Sequence, residues 1–174
     1  RGQVSVKTLK KTNDPKLRWK SEMDAAVKDI PAYVKSQPDL EYAVRGLISY
    51  CLKETLPFEG LEVFRVYRDV MSPESNLSSK LGVSINSLLY LVIEHGDSFS
   101  DTDSLSKNVN EIFHFLQKHG QVSENSYSLL IKFWAQIGKV SKATDVLSEM
   151  QKAKVMPHIR TYRPLISVAP DFDY

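Results

Sequence analysis

At 174 residues the chain has the length of one domain or of a short repeat array. With 42% apolar and 25% charged residues it can fill a core and does not have the composition of a disordered tract. Its one cysteine, Cys51, excludes an internal disulfide framework and a multi-cysteine zinc site, and no apolar run approaches the ~18 residues of a membrane span. The net charge of +2 indicates no partner by its size.

The first twenty residues carry seven Lys or Arg against Asp14 alone. Such an arm can hold a phosphate backbone or can simply keep the chain soluble. The opening residues do not read as a signal peptide. Asp14-Pro15 has the form of a helix cap followed by proline at the first helical position. A leading helix over about 15–35 follows, with Leu17, Met23, Ala26, Val27 and Tyr33 as its apolar residues and a break or kink at Pro31.

An apolar stripe at i, i+3, i+4, i+7 then recurs. Val44, Leu47, Ile48, Cys51 and Leu52 carry it first, then Ile85, Leu88, Leu89, Val92 and Ile93, then Tyr127, Leu130, Ile131, Trp134 and Ala135, and Tyr162, Leu165, Ile166 and Ala169 open it a fourth time. A second set alternates with the first: Gly60, Val63, Phe64 and Tyr67; Val109, Ile112, Phe113 and Leu116; Ala143, Val146, Leu147 and Met150. Each pair of stripes predicts a helical hairpin, and the basic unit is 35 residues. Unit one has about six extra residues near 72–80, and unit two has eight between its helices, near 96–104. Both insertions are rich in Ser, Asn and Asp, as loops are. Gly138 parts the helices of unit three and Pro157 ends it. A hairpin with one apolar face buries it only by stacking on another. The expected fold is therefore all-α, an α-solenoid of stacked helix-turn-helix repeats. Residues 1–36 form the basic arm and leading helix. Units follow at about 40–80, 81–123 and 124–158, with a partial unit at 159–174 that reads as part of a longer protein.

The period lies near that of tetratricopeptide repeats, but placing Pro157 as that motif's closing proline puts Phe133 and Asp145 on its small-residue positions. Unit three instead resembles a pentatricopeptide repeat. Ser126-Tyr127-Ser128-Leu129-Leu130-Ile131 stands where that family has Thr-Tyr-Asn-x-Leu-Ile, and Gly138, Ala143, Glu149-Met150 and Pro157 fill its other signature places. The run Pro157-His158-Ile159-Arg160-Thr161-Tyr162-Arg163-Pro164, and Asn86-Ser87-Leu88-Leu89-Tyr90 followed by a long insertion, are most similar to the pentatricopeptide domain of protein-only ribonuclease P.

That resemblance implies RNA binding through the groove face of each first helix. The residues one step past the stripe openings are Arg45, Asn86, Ser128 and Arg163. Their family partners, just ahead of the next first helix, fall on Leu81, Ser123 and His158, and none of the resulting pairs completes the family's base-reading combinations. Reading of a folded RNA by shape and backbone fits better, and the resemblance implies the elbow of precursor tRNA, with Lys10 and Lys11 of the arm adding phosphate contacts. It also implies a mitochondrial or plastid setting, or a nuclear one, and a separate nuclease part that uses magnesium and a structural zinc.

No catalytic, cofactor or metal residue is expected in the chain itself. Asp97, Asp101 and Asp103 lack the glycine and closing glutamate of a calcium loop, and His95, His114, His119 and His158 show no ligand spacing. Cys51 and Trp134 belong to the stripes. Trp19 can stack on a base or pack on the first repeat, the commoner fate. A monomer without membrane or small-molecule partner is expected, and the chain alone should not cleave RNA. Two rival readings are a pentatricopeptide protein that binds a single-stranded transcript and a protein–protein scaffold. Polar groove residues favour RNA over a peptide, whose groove would be apolar.

Overall fold

A computed structural model describes residues 14–72 and 75–168. Among these the chain forms nine α-helices and no strand: α1 (Pro15–Ala26), α2 (Ile30–Ser36), α3 (Leu40–Glu54), α4 (Pro57–Val70), α5 (Ser79–Glu94), α6 (Thr102–Lys118), α7 (Glu124–Gln136), α8 (Val140–Lys152) and α9 (Ile159–Val168). Local chemistry sets their ends. Asp14, Asp29, Asp39, Ser78, Asp101 and Ser123 each accept a backbone N–H at a helix start. Pro15, Pro31 and Pro57 lie in first turns, where a missing N–H costs nothing. Gly138 follows α7 at φ +75°, in the left-handed region that closes a helix most cheaply with glycine.

The helices stack in two layers. The first helices α3, α5, α7 and α9 pack successively on one another, each of the first three also packs on its own second helix, α4, α6 or α8, and α1 and α2 extend the layers by packing on α3 and α4. The leading segment is thus two helices. It breaks at 27–29, ahead of Pro31, because Asp29 caps the Ala32 amide and starts a new helix. Trp19 packs edge-on against Tyr50 with centroids 5.9 Å apart, and the Tyr50 hydroxyl donates to Asp24, which ties α1 to α3. Packing on the first repeat is therefore what Trp19 does.

The first three stripes of the first helices and all three of the second helices form one continuous core, with Leu52 and Leu147 partly buried at its margin. Second helices are joined across units as well. The Phe64 ring meets Phe115 edge-on at 5.2 Å, Arg65 donates to Asn108 at 2.7 Å, and Arg68 pairs with Glu111. Gly60 lets α4 approach α5 closely, since a Cβ there would stand 2.6 Å from Leu88 Cδ1. The fourth stripe differs: Ile166 is 70% exposed and Tyr162 is exposed, because among the described residues no second helix follows α9 to cover them.

Candidate nucleic-acid interface

On each first helix the residues opposite the core form a second stripe. It runs Tyr42, Arg45, Ser49 on α3; Val83, Asn86, Tyr90 on α5; Asn125, Ser128, Lys132 on α7; and Arg160, Arg163, Ser167 on α9. The steps are three and four residues on every helix, so the side chains lie on one face. Because the first helices are neighbours in one layer, the four stripes form a single surface.

The four sequence-predicted residues all fall on this surface but differ in how they are held. Arg163 is exposed and makes no ion pair among the described residues. Arg45 and Asn86 are half-buried, and the Arg45 Nε and the Asn86 Oδ1 are buried with no hydrogen-bond partner. A buried polar atom without a partner costs free energy, so both side chains would gain from a rotation that turns these atoms outward. Ser128 differs. Its hydroxyl donates to Glu124 at 2.8 Å and lies 2.9 Å from the Thr161 hydroxyl.

Glu124 is the centre of that network. It also accepts from Thr161 at 2.8 Å and from both Nε and a terminal nitrogen of Arg160. The Arg160 guanidinium, aided by the Ser128 and Thr161 hydroxyls and opposed by burial, pulls the Glu124 carboxyl down to about 2. Arg160 and Ser128 are thereby committed to joining α7 to α9, and Thr161, fully buried, is the peg between them. Lys132 similarly pairs with Glu94 across α5 and α7.

The predicted partner positions differ in how they are held: Leu81 is buried, whereas Ser123 and His158 are exposed. Leu81 is fully buried inside α5, because that helix starts at Ser79, a turn ahead of the place its unit arithmetic gives. Ser123 caps α7, and its hydroxyl accepts from the Ser126 amide at 3.4 Å. His158 stands just ahead of α9 with its side chain exposed and its backbone N–H donated to Thr161 Oγ1 at 3.2 Å. Lys10 and Lys11 lie outside the described residues. Lys16, Arg18 and Lys20 are exposed on α1, and Lys20 pairs with Glu54 at 3.4 Å.

Two groups on the surface were missed by sequence reasoning. Tyr42 is 71% exposed and Tyr90 48% exposed, and neither hydroxyl is hydrogen-bonded among the described residues. They flank Arg45 and Asn86 by one helical turn, three residues before the one and four after the other, and exposed rings at such places can stack on unpaired bases. Extending the stripe a turn each way from the predicted residues would have found both. Among the described residues no group of three or more His, Cys, Asp or Glu side chains could hold a metal ion, and no helix is long and apolar enough to cross a membrane.

Stacked helical hairpins, with their first helices in one layer and their second helices in another, define an α-solenoid of helical repeats. Residues 34–171 match the family model described as the pentacotripeptide-repeat region of PRORP. The match spans well over half of the chain, and the chain belongs to that family. No curated protein matches it.

Proposed function

We propose that this domain binds precursor tRNA at its folded elbow and presents it to the nuclease part of a protein-only ribonuclease P for maturation of the 5′ end. Family membership supplies the RNA. The observation that carries the choice of a folded RNA is the state of the reading pairs. Leu81 is buried, Ser123 is a helix cap, and the Ser128 hydroxyl is bonded internally. A linear transcript read one base per unit would need these side chains free. What the surface offers instead is two exposed tyrosine rings, an exposed Arg163, and the half-buried Arg45 and Asn86. This set suits phosphates and a few unstacked loop bases of a structured RNA.

Fluorescence anisotropy with labelled precursor tRNA and with unstructured RNA of equal length, at several salt concentrations, tests the reading. Folded RNA should bind more tightly. Arg163→Ala should weaken binding of many tRNAs alike and flatten the log–log salt slope by about 0.7–0.9 per lost phosphate contact. Tyr42→Ala should weaken binding with little change in that slope. Equal affinity for the two RNAs would move the assignment to a single-stranded transcript, and no binding at low salt would leave a protein scaffold.

A further inference from the structure

The eight-residue insertion of unit two builds a cleft beside the C-terminal end of α7. The chain after α5 makes a 3₁₀ turn, Gly96–Ser98, and lies against the end of α7, leaving a solvent-open cleft of about 550 Å³. Leu105 and Phe133, both buried, line it together with the partly buried Phe99 and Ile137. Glu94, Asp97 and Asp101 stand among the lining residues. The loop is seated on both sides. Phe99 lies against Phe58 of unit one with centroids 4.7 Å apart, and Gly96 sits so close to α6 that a Cβ there would be 2.8 Å from Leu105 Cδ2. The cleft is thus preformed and of the size that takes one or two large side chains.

Its charge restricts the occupant. Lys132 takes up Glu94, but Asp97, Asp101 and the adjacent Asp103 make no ion pair among the described residues. Phosphate is repelled by such a rim. Apolar side chains beneath a negatively charged rim, in which Asp101 caps α6 and Asp97 is exposed without an ion pair among the described residues, instead complement an apolar anchor flanked by Lys or Arg. We propose that this cleft docks a segment of a partner protein in which leucine or phenylalanine is flanked by basic residues, leaving the first-helix surface free for RNA. The inference stands on the cleft alone and holds whichever RNA the other face binds.

The test is ¹H–¹⁵N NMR of the full chain titrated with a ten-residue synthetic peptide of two leucines flanked by lysines. Two companion peptides replace the leucines by glycine or the lysines by glutamate. The leucine–lysine peptide should shift the amides of Gly96, Asp97, Phe99 and Ile137, and the companions should bind at least tenfold more weakly. Asp97→Lys, an exposed loop change, should weaken the first peptide several-fold while leaving the melting temperature and tRNA affinity unchanged. Four results overturn the proposal: equal binding of the glycine–lysine peptide, which is charge attraction alone; shifts mapping to another face; no shifts at millimolar peptide; or cleft amides that move when residues 1–13 are removed, which would make the chain's own basic arm the occupant.

Discussion

Glu124→Gln should destabilise the chain at neutral pH by an amount that disappears in acid. The variant keeps the size of the side chain and some acceptor capacity but removes the charge that holds Arg160. The fall of the carboxyl from the 4.5 of an ordinary glutamate to about 2 corresponds to about 3 kcal/mol at 1.36 kcal/mol per pH unit. The Arg160 side chain is 61% exposed, so solvent screens the pair and about 1–2 kcal/mol is the reasonable expectation. The sign follows from linkage. A depressed folded-state value means that the stabilisation is full above about pH 4.5 and is lost as pH falls towards about 2. Urea unfolding of both proteins at pH 7, 5, 4 and 3 should therefore give curves that differ at pH 7 and 5 and converge below. A separation that persists unchanged at pH 3, or none at pH 7, would refute the role given to the charge. A ¹³C titration of the Glu124 carboxyl reads the same group directly.

Leu88→Ala and Leu130→Ala remove buried side chains from two successive first helices, and each should cost about 2–5 kcal/mol in urea unfolding. Gly60→Ala forces a methyl against the buried Leu88 and should cost about 1–3 kcal/mol. Gly46→Ala, with nothing within 4 Å of the new carbon, should stabilise α3 by roughly 0.5–1 kcal/mol. Burial first, and the charge of Glu59 second, push the Cys51 thiol up to about 12, so iodoacetamide should leave it unlabelled at pH 8 until urea exposes it.

The apolar stripes were legible because helix packing repeats every three or four residues. Val44 to Cys51 and Ile85 to Val92 sit in the core where their spacing puts them. The interruption of the leading helix was legible from Pro31, but its place at 27–29 was not, because it depends on Asp29 capping the Ala32 amide. The state of Leu81 was not legible either. It depends on Ser78 winning the capping position, after which the helix begins a turn early and carries Leu81 inward. Nothing local distinguishes that serine from its neighbours Ser75 and Ser79. The Glu124–Arg160 contact was equally hidden, because residues 36 apart in sequence meet only when the register of α9 on α7 is fixed.

That register also decides what the RNA-facing surface can be. In unit three the position that a simple repeat would keep free for a base is held by Glu124 and Thr161, while on α9 the equivalent residue, Arg163, is released to solvent. The same network that withdraws Ser128 fixes the helix that presents Arg163. At the other end, Arg45 and Asn86 keep unpartnered atoms beside exposed tyrosines. Equivalent positions along the stack therefore carry different chemistry: stacking and hydrogen bonding at α3 and α5, charge at α9. An RNA that meets both ends of this face must cross α7, where the Ser128 hydroxyl is already bonded to Glu124 and Thr161.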